Sequence, residues 1–251
     1  MGSVKLVNRV RNWRLLPPKE GTFYKYFDEI SETLTEGSSK LIELFTAQVQ
    51  DRQVIGVEIE NCLTRMSRTG EQIEDLLRRA HQPPFDRSSI SQFSDDSFRI
   101  MKHINHAANR YLIYYFPSSD KEMRELAPII KEACDEIAKA VKTLPKNRVL
   151  DPYCRSIDRL ETKADEIYHE GLRRRFHEIR TDRLNLETRI KANEDSTSVN
   201  EILPIISANV EYTRHTAVFF ILRQVYEELE RAIDACTEVA ASLKRMVAEN
   251  V

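Results

Sequence analysis

The chain has 251 residues, 38 Lys and Arg against 40 Asp and Glu, and a formal net charge of -2. That balance excludes a global field able to draw the molecule onto nucleic acid or anionic lipid, so any such contact must be local. With 31% charged and 41% hydrophobic residues and only 6 Gly and 9 Pro, the composition favours long helices over turns, strands or disorder.

Residues 1–19 carry Lys5, Arg9, Arg11, Arg14 and Lys19 without an acid, and Pro17-Pro18 closes the segment. They read as a basic arm ahead of the bundle. The start is basic but lacks the apolar core of a signal peptide, and no run approaches the roughly 18 to 20 apolar residues of a membrane span.

From Thr22 to Gln48, Phe23, Phe27, Ile30, Leu34, Leu41, Leu44 and Phe45 recur at three- and four-residue intervals, which predicts a first helix. Ile59, Cys62, Met66, Ile73 and Leu77 continue the period over 52–81, until Pro83-Pro84 removes a backbone donor and stops it. Asp86 or Ser88 is placed to cap a third helix carrying Ile90, Phe93, Ile100, Met101, Ile104 and Leu112, ending near Pro117. A fourth is expected over 121–144, before Pro145, and a fifth from about Val149 to 191. A polar stretch, Asn193 to Asn200, reads as a loop, and a last long helix runs to about Ala248. Cys62, Cys134, Cys154 and Cys236 lie far apart, form no metal or redox spacing, and sit in apolar helical positions as reduced core residues.

Chemistry concentrates on the last two helices. Glu161 and Asp165 each follow a residue of the apolar stripe Ile157, Leu160, Ala164 and Ile167 by one position, and stack one turn apart at its border. Glu230 and Asp234 follow Leu229 and Ile233 in the same way. Like charges at i and i+4 repel, so a pair beside a core calls for a cation, and two facing pairs would make an all-oxygen metal site. His169, one further turn from Asp165, could add a nitrogen donor and move the preference from magnesium toward iron, manganese or zinc. Against this stands the plain alternative of solvated acids paired with Lys163 and Arg231. Glu166 and His169 also form one E-x-x-H motif of the kind that dimetal-carboxylate enzymes use in pairs, but a second is missing from the sequence.

Four segments, RLLPPKEGTFYKYFDEI (14–30), PPFDRSSI (83–90), IDRLETKADEIYHE (157–170) and VYEELERAIDACTEVAASL (225–243), resemble in order and spacing the PhoU-like accessory proteins of Pit-type inorganic phosphate transporters. The resemblance implies an all-α fold: an elongated six-helix bundle of two three-helix repeats, about 20–118 and 119–251. It implies a non-catalytic regulator that binds a Pit-type permease from the cytoplasm, at the inner face of the membrane, with room for peripheral membrane contact and a homo-oligomer. It further implies E-x-x-x-D metal sites, which Glu161, Asp165, Glu230 and Asp234 match; the metal, iron, zinc, manganese or magnesium, stays open. The first half departs from the pattern, keeping Glu71, Asp75, Asp95 and Asp96 as weaker acids, with Arg99 and Lys102 where further acids are expected. A second departure is extra length between about Phe176 and Ile221. It opens on Arg173, Arg174 and Arg175, a basic run suited to an anion or a partner, or else to the acids of its own helix. A metal-free helical scaffold and a dimetal-carboxylate enzyme are the alternative readings.

Overall fold

A computed structural model describes residues 20–146, 149–193 and 198–248; the basic arm expected over 1–19 lies outside them. The secondary structure they form is six helices: α1 Glu20–Thr46, α2 Arg52–Arg79, α3 Arg87–Ile113, α4 Lys121–Thr143, α5 Asp151–Ala192 and α6 Val199–Ala248. Each start and stop has a local cause. Asp86, rather than Ser88, caps α3, its carboxylate accepting from the Ser88 and Ser89 amides. Asp120 caps α4 through the Lys121 amide at 2.7 Å. The third helix ends at Ile113, a turn before Pro117, because Tyr115 adopts a left-handed backbone (φ 51°) that breaks the helical run.

α1, α2 and α3 pack on one another, as do α4, α5 and α6, while α1 with α4 and α3 with α6 join the two triples. The periodic stripes fill the space between them. Phe23, Phe27, Ile30 and Leu34 from α1, Ile100, Met101 and Ile104 from α3, Ile130, Ala133 and Ile137 from α4, and Leu229, Ile233 and Val239 from α6 are all fully buried. At one end Phe27 meets Phe93 edge-on at 5.3 Å and packs against Phe85, the residue that follows the two prolines. At the other end Arg52, 8% exposed, donates to the carbonyls of Ala47, Phe116 and Pro117 and lies over the Tyr111 ring. One side chain thus satisfies loop carbonyls that helix ends leave without partners. All four cysteines are free and buried, as expected.

At 1.5 Å per residue, α1 to α4 are roughly 35 to 42 Å long, whereas α5 and α6, with 42 and 50 residues, reach about 63 and 75 Å. Burial locates the excess. The last buried residue on α5 is Gly171, and on α6, Ala208 apart, the first is Phe219. The extra length foreseen between Phe176 and Ile221 is therefore an antiparallel helical hairpin running past the bundle, held by Phe176 against Phe219 (4.5 Å) and by His215 Nδ1 against the Asp182 carboxylate (2.5 Å). No helix among the described residues is long and apolar enough to cross a membrane.

Candidate functional site

α5 and α6 run side by side through the bundle, and the matching offset of their acids from the apolar stripes turns the two pairs toward each other. Glu161, Asp165, Glu230 and Asp234 are all half-buried. Burial raises the Glu161 carboxyl, and the charges of Asp165 and Asp234 raise it further. The same causes, burial and then Asp234 and Asp165, push Glu230 up to about 7. Asp234 is raised by burial, by Asp165 and by Glu238. Each pair therefore feels the charge of the other. His169 is exposed and faces another hollow, lined also by Arg173, Phe176, His177 and Arg180.

In the first half, Glu71, Asp75 and Asp95 line one open hollow of about 520 Å³ between α2 and α3, together with Glu74 and Arg78. Burial raises Asp95, with Glu74 and Asp96 adding to it, while Asp75 is lowered by the Arg78 guanidinium that bonds it. Asp96 turns away from this hollow. It is 2% exposed and accepts from Gln92 (2.6 Å), from Arg99 and, across the bundle, from the Ser242 hydroxyl of α6. It acts as a structural tie.

The arginine run is divided by the fold. Arg174 makes a two-oxygen contact with Glu122 (2.8 and 2.7 Å) and reaches Asp120 and Glu178, while Arg175 bonds Asp120 (2.5 Å) and Glu178 (3.0 Å). Both are spent on pinning α5 to the start of α4. Arg173 is exposed, its nearest acid being Glu170 at 3.7 Å.

One constellation has no counterpart in the sequence reading. Glu228 of α6, 2% exposed, places Oε2 2.8 Å from His103 Nδ1 and 3.5 Å from His106 Nδ1, both on α3. Its Oε1 forms an ion pair with Arg110 at 3.0 Å and accepts from Arg231 at 3.4 Å. Burial would raise this carboxyl, but the His103 hydrogen bond and the Arg110 charge outweigh it and hold it below its ordinary value. Among the described residues this is the group of three or more His, Cys, Asp and Glu side chains whose ligand atoms all lie within 4.8 Å of one another. Its sequence signal is the H-x-x-H of His103-Ile104-Asn105-His106, which puts both rings on one helix face. The third member, 122 residues further on, carries no local mark.

Comparison with known proteins bears on the whole chain. It is 21% identical over 257 aligned positions to a protein of Rhizobium meliloti (strain 1021) whose name reads pit accessory protein, covering 95% of this chain and 98% of that one. It is 24% identical over 176 residues, 69% of each chain, to the UPF0111 protein YkaA of Bacillus subtilis (strain 168). Two crystal structures of PhoU-like proteins from Shewanella oneidensis MR-1 superpose with TM-scores of 0.62 and 0.63 at 14% identity, over 90% of this chain and 99% of theirs. No family model matches the sequence. The chain thus resembles the PhoU-like Pit accessory proteins along nearly its whole length, and its fold is that of the PhoU-like structures.

Proposed function

We propose that this chain is a non-catalytic regulator of inorganic phosphate transport, which docks on the cytoplasmic face of a Pit-type permease. The observation that carries the reading is the end-to-end likeness to a protein named for that accessory role, joined to a fold shared with PhoU-like proteins. A regulator needs an element that can meet the transporter without disturbing its own core, and the hairpin beyond Gly171 and Phe219 suits that task.

The carboxylate quartet is the second part of the proposal. Burial and neighbouring acids raise the proton affinity of Glu161, Glu230 and Asp234; such a cluster is stabilised by a cation, and an all-oxygen set suits magnesium, manganese or iron in a structural or sensing role. The competing reading is a scaffold whose quartet holds no ion, favoured by the fact that the group whose ligand atoms all lie within 4.8 Å of one another among the described residues is at Glu228 and not at the quartet.

The test is co-expression with a Pit-type permease in cells lacking other phosphate uptake. Radiolabelled phosphate uptake that changes with the chain, together with co-isolation of the two proteins from membranes, is the expected result. Unchanged uptake and no co-isolation would overturn it. Elemental mass spectrometry of the untagged protein, beside a variant with Glu161, Asp165, Glu230 and Asp234 changed to Ala, decides between the cation site and the scaffold.

A further inference from the structure

We propose that His103, His106 and Glu228 form a binding site for one divalent transition-metal ion of the zinc class, at the seam between α3 and α6, using none of the residues of the neighbouring carboxylate quartet. Three features of the constellation carry this.

The first is the donor set. Two imidazoles and one carboxylate favour zinc, iron(II) or cobalt(II) over magnesium or calcium, which prefer oxygen throughout. The quartet on α5 and α6 contains no nitrogen, so zinc is favoured at the histidine position over the quartet. Zinc held by three protein groups keeps a fourth position for water.

The second is geometry. His103 and His106 stand at i and i+3, and their rings lie perpendicular at a centroid separation of 6.2 Å, each aiming Nδ1 at the same carboxylate oxygen. Around a tetrahedral zinc with ligands at 2.0 to 2.1 Å, donor atoms sit about 3.3 Å apart. The two histidine–carboxylate distances, 2.8 and 3.5 Å, bracket that spacing, and all three ligand atoms lie within 4.8 Å of one another. An ion could take the place of the hydrogen bond between His103 and Glu228 with small side-chain shifts.

The third is the division of the carboxylate. Arg110 and Arg231 occupy Oε1 only, leaving Oε2 to the histidines. With the ion bound, Arg110 would stay as the outer partner that fixes the ligand's orientation, a common support for metal-bound carboxylates. Burial also grades outward, with Glu228 at 2% exposure, His103 at 22% and His106 at 42%, which anchors the site at its base and opens it on the solvent side.

The experiment is a zinc chloride titration of the chelator-treated full-length chain at neutral pH, in competition with a chromogenic chelator. One tight equivalent is expected. It should weaken more than about 100-fold in His103→Asn/His106→Asn, beyond the 10- to 100-fold typical of losing an outer-shell partner. It should persist in the variant in which the quartet acids are replaced, so this site and the quartet stand or fall separately. A second measurement needs no variant: zinc should protect His103 and His106, but not the exposed His169, from diethyl pyrocarbonate, as read by peptide mass spectrometry. The proposal is overturned by the absence of a tight equivalent, by one that survives the double histidine change, by one lost with the quartet alone, or by histidines that zinc leaves unprotected.

Discussion

Asp120 shows how much one side chain can do at a helix start. It caps α4, accepts from Arg175 and from the Tyr226 hydroxyl, and so ties three helices at one carboxylate. Burial would raise its pKa, but the Tyr226 and Arg175 interactions outweigh this and bring it to about 2, from an ordinary 3.8. Because the folded value lies below the unfolded one, the stabilisation is fully present above about pH 3.8 and is lost as pH falls through about 2. It amounts to about 2 kcal/mol. Asp120→Asn should therefore lose about 2 to 3 kcal/mol at pH 7 in urea unfolding and show a flatter stability profile between pH 4 and 2 than the parent. Nearby, a Cβ at Gly171 would stand 2.6 Å from Glu122 Cγ, and Glu122 cannot swing aside because Arg174 grips both of its oxygens. Gly171→Ala is expected to cost roughly 1 to 3 kcal/mol, despite the better helix propensity of Ala, measured by the same denaturation.

At the scale of elements, α5 and α6 each have two physical regimes. Within the bundle their apolar stripes are buried; beyond Gly171 and before Phe219 the described side chains are mostly exposed, including Leu184, Ile190, Ile202, Leu203, Ile206 and Val210. Stability should follow burial. Amide hydrogen exchange is expected to be slowest near Ile100–Ala108 and Leu229–Cys236 and fastest between about 180 and 215, where few apolar contacts oppose local opening. Replacing 180–214 by a short Gly/Ser linker should leave a cooperatively folding bundle, since the hairpin's contacts with the core come from Leu172, Val218 and Ile221, outside that stretch. A lost melting transition would mean that the hairpin is part of the folding unit.

For the whole molecule, the binding of one triple to the other rests on α1 against α4 and α3 against α6. Leu229, fully buried on α6, reports on this arrangement. Leu229→Ala should cost about 2 to 5 kcal/mol by calorimetry or denaturation, the range for cavities that a packed core cannot close.

The number of helices, nearly all of their ends and the core stripes were legible in the sequence, because a 3.6-residue period, proline stops and carboxylate caps are local properties. So was the half-burial of Glu161, Asp165, Glu230 and Asp234, because each follows a buried stripe residue by one position. Tertiary structure alone decided what depends on distant segments meeting. It sent Arg174 and Arg175 inward to Asp120 and Glu122, turned Asp96 away from Asp95 to Ser242, and brought Glu228 under His103 and His106. Those partners lie 52 to 146 residues apart along the chain. Sequence periodicity says which face of a helix is buried, but only the packing of one helix on another fixes which polar group stands opposite it.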